Sequence, residues 1–195
     1  MKHSHFFAKL SRMKYINRWG LMRATREENL SEHSLETSLI AHALAVLHNK
    51  RFHGHVNTER VALLALFHDA TEVLTGDLPT PIKYYNPEIR NSYKEVETVA
   101  KEKLLSSLPC DLQDVYQPLL HETAQEKDLW RFVKAADKLS ALIKCVEEKR
   151  MGNDEFIEAE QTIRKTLYSM NSPEVFCFLE EFLPSYCLTL DEQEK

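Results

Sequence analysis

His68 and Asp69 stand at the end of the almost wholly apolar stretch VALLALFHDATEV, where a buried helix should carry Leu or Ala. From Val61 the positions Val61, Leu64, Ala65, His68 and Glu72 step by three and four, so one helical face passes from core residues to an imidazole and a carboxylate. An ionised carboxylate withdrawn from water is costly unless it is paired or bound to a cation. The cluster therefore predicts either a metal site or an ion-pair network, and only the first does chemistry. By itself a His-Asp dipeptide is a weak signal, equally at home at a helix end with a bonded ring beside a solvated carboxylate.

Two further segments strengthen the metal reading. ENLSEHSLETSLIAHALAVLHN opens with Asn29 as N-cap and Glu32 three residues on, a capping-box spacing, and continues with Leu35, Leu39, Ala43, Val46 and Leu47 at helical intervals. His33 falls in the first turn of that helix. QEKDLWRFVKAADKLSALIKCVEEK places Leu129, Phe132, Val133, Ala136, Ser140 and Ile143 on one face, with Asp137 one turn after Val133 in the same stripe. His33, His68, Asp69 and Asp137 thus offer two nitrogen and two oxygen ligands from three separate helices. Such a mixed set suits Mn, Fe, Co, Ni or Zn better than Ca or Mg, which favour all-oxygen shells. Neighbouring residues on a helix diverge by about 100°, so His68 and Asp69 share an ion only near its rim, and His33 and Asp137 close the site.

The order His33, then His68-Asp69, then a distant Asp137 resembles the H…HD…D pattern of the HD-domain metal-dependent phosphohydrolases. MKHSHFFAKLSRMKYINRW, SEHS, HDATEVLTGDLPTPIKYYN and KAADKLSALIKC narrow the likeness to bacterial 5'-deoxynucleotidases of the YfbR type, over nearly the whole chain. Gly20 departs from it, standing where the family carries proline after the tryptophan. The resemblance implies hydrolysis of deoxyribonucleoside 5'-monophosphates to deoxynucleoside and phosphate, and a homodimer. It implies one divalent transition metal ion, cobalt or manganese, on His33, His68, Asp69 and Asp137. It also implies catalytic roles for Glu72, Asp77 and Arg18, with substrate contacts from Arg18, Trp19, His33, Asp69, Asp77, Leu78, Pro79, Thr80 and Asp137.

The chemistry of these residues fits such roles. A metal with open positions polarises a phosphoryl oxygen and acidifies a bound water. Glu72, one turn beyond His68 on the predicted face, is placed to orient that water or relay a proton to the leaving 5'-oxygen, although a surface glutamate is an equal reading from the residues alone. Asp77 follows Gly76 in TGDLPTP, a turn-rich loop directly after the metal helix. Arg18 and Trp19 precede Gly20 at the end of a predicted amphipathic helix built on Phe6, Phe7, Leu10, Met13 and Tyr15. A guanidinium fork matches phosphate oxygens, and an indole packed on a sugar leaves no room for a 2'-hydroxyl. Without a phosphate ester, the pair reads as a packed ring with a snorkelling charge.

The elements that must position these groups are helices. Long periodic segments, broken at Asn86-Pro87 and Met151-Gly152-Asn153, predict an all-α bundle of six to eight helices in one domain spanning residues 1–195. Only 4 Gly and 7 Pro leave little room for linkers. A net charge of -5 without a basic patch argues against nucleic-acid polymers as partners. The absence of an apolar leader or an eighteen-residue apolar run predicts a cytoplasmic protein off the membrane. Cys110, Cys145, Cys177 and Cys187 lack C-x-x-C spacing and read as reduced thiols. His48, His53 and His55 are expected to be solvated in a loop, and His42 to be a bonded core residue. Lys94, Glu95, Glu97, Lys101, Glu102 and Lys103 read as a solvent face. Two other functions use the same residues: an HD-domain hydrolase of cyclic, triphosphate or signalling nucleotides, and a helical interaction module with structural His and Asp pairs.

Overall fold

Capping side chains set where three of the long helices begin. Asn29 Oδ1 accepts the backbone N–H of Ser31 (3.0 Å) and Glu32 (3.1 Å), while Glu32 Oε2 accepts that of Asn29 (3.3 Å), completing the expected box. Asn57 and Asn86 cap the next two long helices, the latter with proline at the first helical position. The structure is a computed structural model that describes residues 3–79, 82 and 85–194. In chain order the α-helices are α1 (Phe6–Leu10), α2 (Leu30–Arg51), α3 (Thr58–Phe67), α4 (Glu72–Thr75), α5 (Pro87–Leu105), α6 (Cys110–Leu120), α7 (Lys127–Arg150), α8 (Ile157–Ser169), α9 (Pro173–Glu181) and α10 (Leu190–Gln193). The fold is all-α, as the periodicity predicts.

Helix α7 runs through the centre, packed against α2, α3 and α8. Its Phe132, Val133, Leu139, Leu142 and Ile143 join Leu44, Val61, Leu64 and Leu167 in the main core. Each such side chain contributes about 1.5–3 kcal/mol through burial. A smaller cluster of Phe6, Ala70, Leu104, Leu108 and Leu120 seats α1, α5 and α6 beneath the residues that follow α3, and Phe67 packs against both clusters. Together they clamp the segment carrying His68 and Asp69.

Several expectations need correction. Helix α3 ends at Phe67 instead of running on to Glu72. His68 N–H bonds to Ala65 O, Ala70 N–H to Phe67 O (3.0 Å) and Glu72 N–H to Asp69 O (2.9 Å), so i to i−3 bonds tighten the chain into a turn before α4. On α2 the predicted stripe, Leu47 apart, is not the buried face: Leu35 and Leu39 are 57% and 65% exposed, and Ala43 and Val46 are only half-buried. The inward face carries His33, Thr37, Ile40, Ala41, Leu44 and Leu47. Polar residues of the site occupy that face, so apolarity alone selects the wrong one. The same rotation exposes His42.

Nor is His48 solvated, because its Nδ1 meets the buried Glu174 carboxylate and its ring fills the space a Cβ on Gly54 would need. His53 and His55 are exposed. At the N-terminus α1 passes into a 3-10 turn, Ser11–Tyr15, with Phe7 and Tyr15 exposed, and Arg18 and Trp19 follow an isolated bridge between Asn17 and Asn29 instead of ending a helix.

Candidate metal centre and substrate cavity

His33 is 1% exposed, and its Nδ1 lies 3.1 Å from Ser140 Oγ. Ser140 Oγ donates to Glu36 Oε2 at 2.6 Å, so its lone pairs are left to accept Nδ1–H of a neutral His33. His68 Nδ1 donates to Ala65 O at 2.7 Å. Both tautomers therefore present an unprotonated Nε2, and both Nε2 atoms are buried without a hydrogen bond. Asp69 Oδ2 stands 3.0 Å from His68 Nε2 and 3.5 Å from His33 Nε2, and Asp137 Oδ1 stands 3.3 Å from His33 Nε2. One ligand atom each from His33, His68 and Asp69 falls within 4.8 Å of the others. Buried polar atoms without hydrogen bonds are rare in native folds. Two imidazole nitrogens beside two carboxylates fit a borderline divalent ion.

Electrostatics support the same fit. Burial opposes charge on His33, but the Asp137, Asp69 and Glu28 carboxylates around the ring outweigh it and raise the imidazole from 6.5 to about 10. Burial pushes Asp69 up, yet His68 and His33 hold it well below its ordinary value. Asp137 is likewise driven down against its burial by His33 and by Lys138, whose Nζ lies 2.8 Å from Oδ2. The cluster thus demands positive charge, met by a proton on His33 or by a metal that displaces it.

Arg18 lies beside this candidate metal centre, its side chain 12% exposed and its Nη1 3.7 Å from Asp69 Oδ2. Trp19 adopts the left-handed backbone conformation, φ 60°, which costs a bulky residue on the order of 1–3 kcal/mol. Its ring packs on Phe156, centroids 5.3 Å apart, and its Nε1 donates to Glu28 Oε2 at 2.9 Å. Arg18, Trp19, Asp77, Leu78, Pro79 and Asp137 line one cavity of about 580 Å³, with Lys138 of α7 and Glu158 and Thr162 of α8 on its walls. Glu72 is buried at the start of α4. Thr80 lies outside the described residues.

Sequence reasoning missed Glu28, Glu36 and Ser140, which contact His33, Arg18 and Trp19 directly or, for Glu36, through Ser140. Glu28 sits in the polar run REEN, which reads as solvent. Ser140 was visible only as a hydroxyl in the α7 core stripe.

The family model described as 5'-deoxynucleotidase YfbR-like matches residues 5–186. The chain belongs to this family. A 5'-deoxynucleotidase of Cronobacter sakazakii is 53% identical over 192 residues, covering 98% of this chain and 96% of that protein. The 5'-deoxynucleotidase YfbR of Escherichia coli O1:K1 gives the same identity and coverage. Among solved structures, an HD-domain phosphohydrolase from Listeria innocua superposes with a TM-score of 0.79 at 27% identity, covering 98% of this chain and 92% of that one. The HD phosphohydrolase of cyanophage S-2L, bound to dA and one catalytic Zn2+, shares the fold with a TM-score of 0.66 at 18% identity, covering 91% and 96%. The fold of the family is thus the HD-domain bundle. Among the described residues no helix is long and apolar enough to cross a membrane.

Proposed function

We propose that the protein is a metal-dependent 5'-deoxynucleotidase, cleaving deoxyribonucleoside 5'-monophosphates to deoxynucleoside and inorganic phosphate. The observation that carries this reading is two buried, unbonded Nε2 atoms beside two carboxylates, of which Asp69 faces Arg18 and Asp137 lines the same cavity as Arg18 and Trp19. His33, His68, Asp69 and Asp137 would hold one divalent transition ion, cobalt or manganese. Bound there, such an ion supplies Lewis-acid polarisation of the phosphoryl group and a water acidic enough to attack near neutral pH.

The chain's own residues do the rest. Arg18 is ion-paired with Glu28, whose Oε1 lies 3.3 Å from Nε, and its guanidinium fork is the group for phosphate oxygens. Trp19 packs its indole on the sugar and excludes a 2'-hydroxyl. Glu72 and Asp77 carry the proton from the attacking water to the leaving 5'-oxygen. Leu78, Pro79 and Thr80 complete the substrate loop, and His33, Asp69 and Asp137 border the phosphate. The protein works in the cytoplasm as a homodimer, a state that the exposed Leu35 and Leu39 of α2 favour.

The test is phosphate release by the purified, metal-loaded protein from matched 5'-deoxyribo and 5'-ribo monophosphates, 3'-monophosphates, cyclic nucleotides and triphosphates. We expect turnover confined to 5'-monophosphates, with the deoxy substrate preferred. Faster turnover of a cyclic nucleotide or triphosphate overturns the proposal.

A further inference from the structure

We infer that Glu28 is the positioning residue that locks Arg18 and Trp19 against the metal ligand His33 and so sets the choice of sugar. This rests on the deoxynucleotidase reading. The Glu28 side chain is 13% exposed. Its Oε2 accepts the indole N–H of Trp19 at 2.9 Å, and its Oε1 lies 3.3 Å from Arg18 Nε and 3.5 Å from His33 Nδ1. One carboxylate therefore touches the group aimed at phosphate, the group aimed at the sugar and a group aimed at the metal. The backbone places it there: Arg18 N–H donates to Glu28 O at 2.9 Å and Leu30 N–H to Ile16 O at 2.9 Å, on either side of the Asn17–Asn29 bridge.

Trp19 needs such a lock. A bulky residue persists in the left-handed region only where its surroundings over-determine it. Next to it, a Cβ on Gly20 would meet nothing within 4 Å, so the chain beyond the indole is not confined by close packing. The ring is contacted by Phe156, tilted against it at 58°, and by Glu28 on its nitrogen. The carboxylate's two oxygens are rigidly spaced, so Arg18 and Trp19 hold a set orientation to each other. Exclusion of a single hydroxyl depends on that orientation, because small displacements of a positioned group degrade discrimination.

The loop beyond Trp19 is fastened independently of Glu28. Arg23 bonds Glu155 through its backbone N–H and its Nε, and Thr25 and Arg26 bond Glu148. Changing Glu28 thus frees the indole and guanidinium without detaching the loop.

The test uses the metal-loaded enzyme with Glu28→Gln, nearly isosteric, and Glu28→Ala. Four quantities are read: kcat and KM on matched 2'-deoxy and ribo 5'-monophosphates, metal per chain, and Trp19 fluorescence in a Trp130→Phe background. We expect one metal per chain to be retained and the emission of Trp19 to shift. The ribo-to-deoxy ratio of kcat/KM should rise about tenfold or more. If Glu28 acts through Trp19, Glu28→Gln leaves the ratio unchanged in a Trp19→Ala background. A ratio that moves in Trp19→Ala but in neither Glu28 variant overturns this inference while leaving the deoxynucleotidase reading intact. Loss of metal from Glu28→Gln overturns it too, by reassigning Glu28 to ligand support. Equal cleavage of both sugars by the unaltered enzyme overturns the functional reading and the role of Glu28 together.

Discussion

Replacing Glu148 by alanine should destabilise the protein more than most single substitutions do, and the structure sets the size. Glu148 is fully buried and bonded to Lys144 Nζ, itself only 5% exposed. It also accepts from Thr25 N–H (2.8 Å), Thr25 Oγ1 (2.7 Å), Arg26 N–H (3.2 Å) and Asn153 Nδ2 (2.8 Å). Removing the carboxylate strands a buried ammonium with the Arg26 carbonyl as its remaining partner. Breaking a buried pair from one side costs about 3–5 kcal/mol. At about 2.1 cal/mol/K of unfolding entropy per residue, the 195-residue chain has close to ~0.4 kcal/mol/K, so Tm should fall by about 7–12 °C. Scanning calorimetry of the metal-loaded protein measures this directly.

Two controls sharpen the test. The double variant Lys144→Met/Glu148→Leu should melt above Glu148→Ala, because no lone charge stays buried. Acid should act in the same direction as the substitution. Burial raises the Glu148 carboxyl, but hydrogen bonds from Lys144, Thr25 and Asn153 outweigh it and hold it well below the ordinary 4.5. A depressed carboxyl contributes its stability above the unfolded value, and that contribution is lost as pH falls below about 4.5. A Glu148→Ala protein melting within about 2 °C of the unaltered one, with the same acid profile, would refute the reasoning.

The other expectations concern the site. His33→Ala, His68→Ala and Asp137→Ala should each lose the metal and the activity, as metal analysis beside phosphate release will read; a variant keeping both does not lack a ligand. Glu72→Ala should keep metal and nucleotide while turnover falls by roughly two to four powers of ten, and near-normal turnover removes Glu72 from the chemistry. Ser140→Ala, which cuts the link from His33 to Glu36, should weaken metal affinity by about 10–100-fold, measured by competition with a chelating dye; unchanged affinity shows that Ser140 merely fills space.

How much of this was legible in the chain follows from what each residue signals locally. His68, Asp69 and Asp137 announced themselves as polar groups inside apolar periodicity, and Asn29 with Glu32 announced the helix that carries His33. Helix type and the principal breaks were readable because caps and prolines act within a few residues of their position. The inward face of α2 was not, since Leu35 and Leu39 are more apolar than the His33 and Thr37 that turn inward. Which face is buried depends on α3 and α7, which local periodicity does not encode. Glu28, Glu148 and Glu174 look like surface acids in sequence. Their burial is fixed by partners 9 residues away for Trp19, 123 for Thr25 and 126 for His48.

The most direct measurement is a metal titration of chelator-stripped enzyme, followed by phosphate release from a deoxyribonucleoside 5'-monophosphate. Stripped protein should be inactive, and activity should rise linearly with added manganese or cobalt to a break at one equivalent per chain. Full turnover by the stripped protein, or no recovery with any divalent transition ion, would contradict a metal centre on His33, His68, Asp69 and Asp137.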